Sequence, residues 1–288
     1  MTGYLDYRVA RADGPGDGTI DSMKSISSWA AVALVLVAFL AADQLHAILS
    51  FTEAYRKMGG EFPFYVRGGA RNLLQVLICF LVVRLVWARS MLEALQELGF
   101  DRRLLQGLGF GIAATAPMLI GLASTSSVAP TATSIETAYL AGFSPVTEEI
   151  VYRGFACGLL FTRGRLPAWV AVSIPAIAFG WGHVEQGSTV AEGIELFLYT
   201  GGAGAAFGWV YLRWLRNLWI PIAVHVLANL SWEIFDVGDS ALGGWFPFAL
   251  QMTMVLLAIA FTLRWTDPIN QFDANSARVG GTESLASS

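Results

Sequence analysis

The sequence predicts an all-α polytopic membrane protein, a bundle of about eight transmembrane helices. Of its 288 residues 55% are apolar and only 14% charged, against roughly a quarter charged in ordinary globular domains. Its mean hydropathy is +0.55. The apolar residues gather into runs of about 20, the length that carries a helix across a bilayer, and nowhere do they alternate in the segments of about ten that a spanning barrel needs.

In chain order, residues 1–26 are polar and read as a disordered tail, lacking the basic, apolar and small-residue blocks of a cleaved signal. The run 28–50 is then a retained anchor and the first span. Further spans are expected at 72–89 and 104–127. The stretch 131–143 reads as a surface helix or a half-span. Span four, 145–163, opens on Ser144-Pro145, a favoured N-cap followed by the residue that fits the first helical position. Span five, 167–184, contains Pro175, which would kink it. Span six, 194–212, carries Gly201, Gly204 and Gly208, the small-residue spacing that lets helices approach closely. Spans seven and eight fall at 217–234 and 245–264. From 267 to 288 the composition is too polar to bury a core and a second tail is expected. With short loops and no internal repeat, 27–266 reads as a single transmembrane domain.

The net charge of -4 supplies no basic stripe for phosphates, so nucleic acid is not an expected partner. Cys79 and Cys157 lie in apolar runs without metal-ligand spacing, as lipid-facing or core residues. Cys157, a turn beyond Arg153, lacks the setting of a nucleophilic thiol. Arg89, Arg102, Arg103, Arg163, Arg165, Arg213, Arg216 and Arg264 fall on one side of this arrangement. Glu136, Glu185, Glu192, Glu233, Asp236 and Asp239 fall on the other. Short cytoplasmic loops collect Lys and Arg, so both termini are expected inside. Arg56, Lys57, Arg67 and Arg71, between spans one and two, disagree.

Three short motifs put ionisable residues into apolar runs, where each costs roughly 2.5–3.5 kcal/mol at the bilayer centre and therefore marks a cavity or site. The first is Glu148-Glu149 with Arg153. Glu149 and Arg153, four apart, share a helical face in the order that favours an ion pair. Glu148 points about 100° away and is the freer carboxylate, a general base that the pair would position. The bland alternative is a capped helix and one structural salt bridge. The second motif is Phe179 with His183, where the ring can buttress the imidazole, although a single interfacial His is often structural. The third is His225 with Asn229, whose amide can hold the ring or donate to an oxyanion, or simply join helices. Asp43 and His46 read as an interfacial polar edge.

All three motifs fall at one depth of the bundle, the acidic-loop side. A carboxylate, two His and an Asn there suit activation of water for attack on a carbonyl. Glu148, His183 and His225 could also hold one divalent metal ion such as zinc, or none, since the helical H-E-x-x-H pattern is absent.

The ordered set E-E-x-x-x-R at 148–153, F-x-x-x-H at 179–183 and H-x-x-x-N at 225–229 resembles the CAAX prenyl endopeptidase and bacteriocin-processing family of intramembrane proteases, over about residues 100–235. The resemblance implies an eight-helix bundle that hydrolyses peptide bonds. Glu148 and His183 would activate water, and His225 and Asn229 would form the oxyanion hole, with Glu149, Arg153 and Phe179 in support. Family names include metalloprotease, and a metal-free glutamate mechanism is also proposed for it. Eukaryotic members act on the cytosolic face, whereas the charge count puts this site outside; the charge count is the weaker argument. The expected partners are a membrane-associated peptide or protein substrate and the lipid bilayer, in the bacterial inner (plasma) membrane. A non-catalytic immunity or regulatory protein binding a peptide in the same cavity is the alternative. A proton-coupled carrier would need polar residues along both halves of the membrane, and here they cluster on one side.

Overall fold

A computed structural model describes residues 26–237 and 242–283, with side chains to residue 266. The tail expected at 1–26, the end of the one expected at 267–288, and Asp239 therefore lie largely or wholly outside the described residues. The architecture is all-helical, as the composition demands. Its helices are α1 (Ser28–Asp43), α2 (Leu45–Ser50), α3 (Glu53–Glu61), α4 (Phe64–Val86), α5 (Met91–Leu98) and α6 (Leu104–Thr125). After a loop come α7 (135–162), α8 (Ala168–Trp181), α9 (Val190–Arg213), α10 (Trp219–Ile234) and α11 (Trp245–Glu283). Extended backbone pairs only at the antiparallel bridge of Val128 with Phe235 among the described residues.

Among the described helices, three of the eight expected spans meet the length and composition needed to cross a membrane: α4, α6 and the Trp245–Thr266 part of α11. The reason is visible in the elements. The 28–50 run breaks at Gln44, leaving α1 with 16 residues, while α8 has 14 and α10 has 16. At 1.5 Å per residue these reach only about 21–24 Å, short of a hydrocarbon core of about 30 Å. The 24-residue α9 carries Glu192 and Glu195. Apolar helices of this kind nevertheless make the chain a membrane protein.

Two boundaries move in ways that matter for the site. Helix α4 starts eight residues before the expected position, so Arg67 and Arg71 belong to its first turns and not to a loop. Helix α7 starts at Ile135, capped by Ser134, whose hydroxyl accepts from Thr137 N–H. The stretch expected as a half-span thus joins span four in one helix that passes through Ser144 in αR conformation. Ser144 is not an N-cap, and Glu148 does not lie at a helix N-terminus.

Two packed layers enclose the site. One gathers Phe39, Cys79, Val83, Leu98, Phe155 and Leu159 from α1, α4, α5 and α7. The other gathers Phe110, Met118, Phe207, Val210, Val224 and Met254 from α6, α9, α10 and α11. Cys157, Tyr211, Leu218 and Ile222 pack together where the two meet. Both cysteines are buried core residues. At one end the basic loops interlock: Arg163 pairs with Glu97, Arg216 donates to the Glu97 carbonyl, and Arg213 donates to Thr266.

Helices α8 and α9 form one of the two most extensive helix interfaces, with α6 and α10 forming the other. Small residues permit the first. A Cβ on Gly180 would lie 2.8 Å from the Phe197 carbonyl oxygen and 3.0 Å from Gly201 Cα, distances at which backbone must move. Gly180→Leu is therefore expected to separate α8 from α9 and destabilise the protein by roughly 1–3 kcal/mol or more. Thermal unfolding in detergent should show a lower midpoint, whereas Gly202→Ala, which meets nothing within 4 Å, should leave it nearly unchanged.

Candidate active site

Helix α7 contains two segments with i→i+5 bonding, Tyr139–Phe143 and Ile150–Cys157. Such wide turns occur where a helix must absorb an obstruction, and often at functional sites. Here the obstruction is Pro145, which has no N–H and whose ring would strike the carbonyl four residues back. In the first wide turn the Ser144 N–H bonds to the Tyr139 carbonyl. The next bond in that series would run from residue 145 to the Leu140 carbonyl, and proline cannot donate it. Asn229 on α10 donates instead, its Nδ2 lying 3.2 Å from the Leu140 oxygen. A side chain that the motif marks as an oxyanion donor thus also satisfies a main-chain carbonyl that α7 leaves open.

The adjacent glutamates divide as helical geometry requires. Glu149 turns inward and is 0% exposed; Arg153, at 2%, follows it on the same face. The Arg153 Nη1 donates to Glu149 Oε1 at 2.8 Å, and its Nη2 donates to the Gly204 carbonyl at 3.4 Å. The guanidinium lies 4.7 Å over the Phe179 ring and 5.6 Å over that of Phe207, an arrangement that offsets some of the desolvation of a buried cation. A Cβ on Gly204 would sit 3.3 Å from Nη2, so that glycine serves the arginine as well as the helix packing.

The same Glu149 Oε1 is 2.7 Å from His225 Nδ1. With Nδ1–H donated to this carboxylate, Nε2 is turned to the cavity, where it lies 3.9 Å from Glu148 Oε2. That separation is too long for a direct hydrogen bond and suits a water bridging the two. Glu148 is held from the other side by Ser144, whose hydroxyl donates to Oε1 at 2.7 Å.

His183 lies two residues beyond the end of α8, just ahead of a short turn (Val184–Gln186), not within the helix. Its Nδ1 is 2.7 Å from the Phe179 carbonyl, one of the terminal carbonyls that a helix cannot satisfy internally. The two rings also touch, with centroids 4.6 Å apart. The phenyl group is backed in turn by Tyr152, whose hydroxyl donates to Asp43 at 2.5 Å. Asp43 therefore braces the site from outside the cavity.

Glu148, Arg153, Phe179, His183, His225 and Asn229 all line one cavity of about 500 Å³. The structure brings these sequence-selected residues together; Glu149 lies behind them. Four further residues are not marked by any motif. His46, which the sequence places at an interfacial polar edge, lines the cavity and bonds the Tyr55 hydroxyl at 2.9 Å. On α2, outside the spanning helices, it is held below the ordinary histidine range first by burial and then by the Arg71 and Arg67 guanidiniums. Asn72, a polar side chain ahead of a long apolar run, donates to Ser144 Oγ at 3.3 Å. Arg67 and Arg71, loop charges by the sequence, line the cavity as well.

The proposed metal ligands Glu148, His183 and His225 do not gather into a metal site. Among the described residues no three His, Cys, Asp or Glu side chains do so. In both histidines Nδ1 is held by a protein oxygen, which leaves Nε2 as the ring nitrogen open to a ligand, and Glu148 Oε2 lies 3.9 Å from that of His225.

The buried contacts can be tested by their stability. Glu149→Ala leaves Arg153 without its carboxylate and frees the His225 ring; a loss on the order of 3–5 kcal/mol is expected, read as a lowered unfolding midpoint in detergent. The Leu140 carbonyl offers a finer test. Pro145→Ala restores a main-chain donor, so the stability loss caused by Asn229→Leu should be smaller in that background. A double-mutant cycle should give a coupling of about 0.5–1.5 kcal/mol.

Comparison with known proteins concerns the part of the chain that holds these residues. No curated protein and no solved structure matches it. A family model does, over a segment that begins just before α7, ends within α10 and contains all three motifs. Residues 130–231 match the Type II CAAX prenyl endopeptidase Rce1-like family, and the resemblance carried by the three motifs is borne out.

Proposed function

We propose that the protein is an intramembrane endopeptidase that cuts a membrane-associated peptide or protein, with Glu148 as general base. The observation that carries this reading is the 3.9 Å separation of Glu148 Oε2 and His225 Nε2 on the wall of one cavity. The matching family model supports it.

In the proposed reaction a water hydrogen-bonded to both of these atoms attacks the scissile carbonyl carbon while Glu148 takes one of its protons. A bond forms from the water oxygen to carbon, and the carbonyl electron pair moves to oxygen. The resulting oxyanion accepts from His225, protonated at Nε2 and balanced through Nδ1 by Glu149, and from the second N–H of the Asn229 amide. His183, fixed by the Phe179 carbonyl, assists in orienting the water. When the tetrahedral adduct collapses, the carbon–nitrogen bond breaks and Glu148 returns the proton to the leaving amine.

If a divalent metal takes part, Glu148, His183 and His225 are the groups that would have to move together to hold it; no step above depends on one. Both termini are proposed to lie on the cytoplasmic side of a bacterial inner membrane, with the interlocked basic loops facing the same way.

Glu148→Gln keeps the side chain's size and removes the base. Its kcat should fall roughly 10²–10⁴-fold, with little change in unfolding midpoint because the carboxylate faces the cavity. In cells, peptide termini from membranes and medium should include a set seen with wild type and missing from both Glu148→Gln and the deletion, at matched protein levels. Identical termini in all three would remove the hydrolase reading.

A further inference from the structure

The wall of the cavity nearest α4 is positively charged, and nothing in the proposed hydrolysis uses that charge. Arg67 and Arg71 both line the cavity and are half-buried. They are four apart on α4 and so share a face, where like charges repel. Arg67 also lies at the end of the first turn of that helix, where the backbone dipole disfavours cations. Among the described residues neither forms an ion pair with a carboxylate. Arg71 donates through Nε and Nη2 to Asn72 Oδ1, at 3.2 and 3.1 Å, and Arg67 lies 5.6 Å from the Tyr55 ring. Two cations kept together against repulsion, dipole and partial desolvation, without a counter-charge from the protein, fit an anion that arrives from outside.

Their distance from the reaction is set by a continuous chain of side chains. Arg71 bonds Asn72, Asn72 bonds Ser144, and Ser144 bonds Glu148. An anion on Arg71 would therefore be separated from the general base by two side chains, within the reach of a peptide seated in the same cavity. Of the negative groups, Glu148 and Glu233 line the same cavity, and Glu185, exposed, lies near His46.

We propose that Arg67 and Arg71 bind a carboxylate of the substrate chain and so fix where along that chain the cut falls. This rests on the peptidase reading. The guanidinium fork matches a carboxylate with two parallel hydrogen bonds. The charge belongs to the wall of the reaction cavity, so what it meets is what the cavity admits. The carboxylate is either the chain's own terminus or an Asp or Glu side chain, and the two sources are separable by experiment.

The test uses the full-length protein in nanodiscs of zwitterionic lipid and a mixed library of eight-residue peptides, prepared once as free acids and once as C-terminal amides. Products are identified by mass spectrometry for wild type, Arg67→Gln, Arg71→Gln and the double variant, with unfolding midpoints recorded. For a terminal carboxylate, wild type should favour acids over amides with cuts at a fixed distance from the end. The double variant should raise KM for acids at least about tenfold, since the loss of a single charge-assisted hydrogen bond has that effect, and erase the acid–amide difference. For a side-chain carboxylate, acids and amides are cut alike but a preference for Asp or Glu at one fixed position disappears in the variants. Cleavage by wild type with neither preference, or with preferences that survive the double variant, overturns the carboxylate site and leaves the peptidase reading standing. Absence of any cleavage counts against the peptidase reading. Binding of the same acids and amides to Glu148→Ala then decides the arginines separately: acid-selective binding that disappears in an added Arg67→Gln/Arg71→Gln background supports the site, and equal binding overturns it. Arginine effects that appear only when anionic lipid replaces zwitterionic lipid would assign the pair to headgroups and also overturn it.

Discussion

A buried carboxylate dictates the arrangement around it. Glu149 has no exposed surface, and its Oε1 receives both Arg153 and His225 while Oε2 has no partner among the described residues. A charge withdrawn from water is tolerated only with excellent partners. The positions of the partners are thereby fixed: Arg153 one turn along α7, His225 across on α10. Arg153 in turn requires the open backbone at Gly204 on α9 and the rings of Phe179 and Phe207. Four helices are held in register by this one group. Its other consequence is chemical, since occupying Nδ1 of His225 presents Nε2 to the cavity and to Glu148. The inward glutamate sets the geometry that the outward one uses.

The wide turns of α7 supply what a regular helix would not. Pro145 interrupts the helix four residues before Glu149, and the turn ahead of it expands to let the chain pass. That expansion leaves the Leu140 carbonyl for Asn229, so α7 and α10 are joined at a second point, a turn of α10 beyond His225. It also aligns Ser144 with Glu148 and with Asn72 on α4. A backbone irregularity thus connects three helices around the cavity, at the depth where water must be admitted and the carbonyl cannot be left to lipid.

How much of this is legible in the sequence depends on which physical signal each part leaves. Spacing of four residues on an apolar helix is enough to pair Glu149 with Arg153 and to separate Glu148 from both, because 3.6 residues per turn leave no alternative. Order and spacing of the three motifs are likewise readable. Helix boundaries are not, because hydropathy counts apolar residues without seeing where a helix bends or stops. Ser144 misleads for a related reason: Ser-Pro before a run of helix formers is the signature of a helix start, and only the expanded turn before it allows the helix to continue through. Asn72 leaves a signal, as an amide leading into an apolar run. Arg67 and Arg71 leave none, since nothing local distinguishes a charged loop from the first turns of a helix that begins eight residues early.

Those arginines raise an electrostatic question that the side chains between them and the proposed base answer. A guanidinium in direct contact with Glu148 would favour its ionised form so strongly that accepting a proton would become costly. Asn72 and Ser144, both neutral, stand between the two. Asn72 takes the Arg71 donors on its oxygen and passes a donor to Ser144, which passes one to Glu148. The carboxylate is thus oriented through hydrogen bonds without an arginine in contact with it. On the opposite side, Glu148 faces His225, whose Nδ1 is held from behind by Glu149 and not from the cavity. Each of these polar groups is steadied by a partner placed away from the proposed reacting atoms, and a water seated beside the pair can hydrogen-bond to both Glu148 and His225.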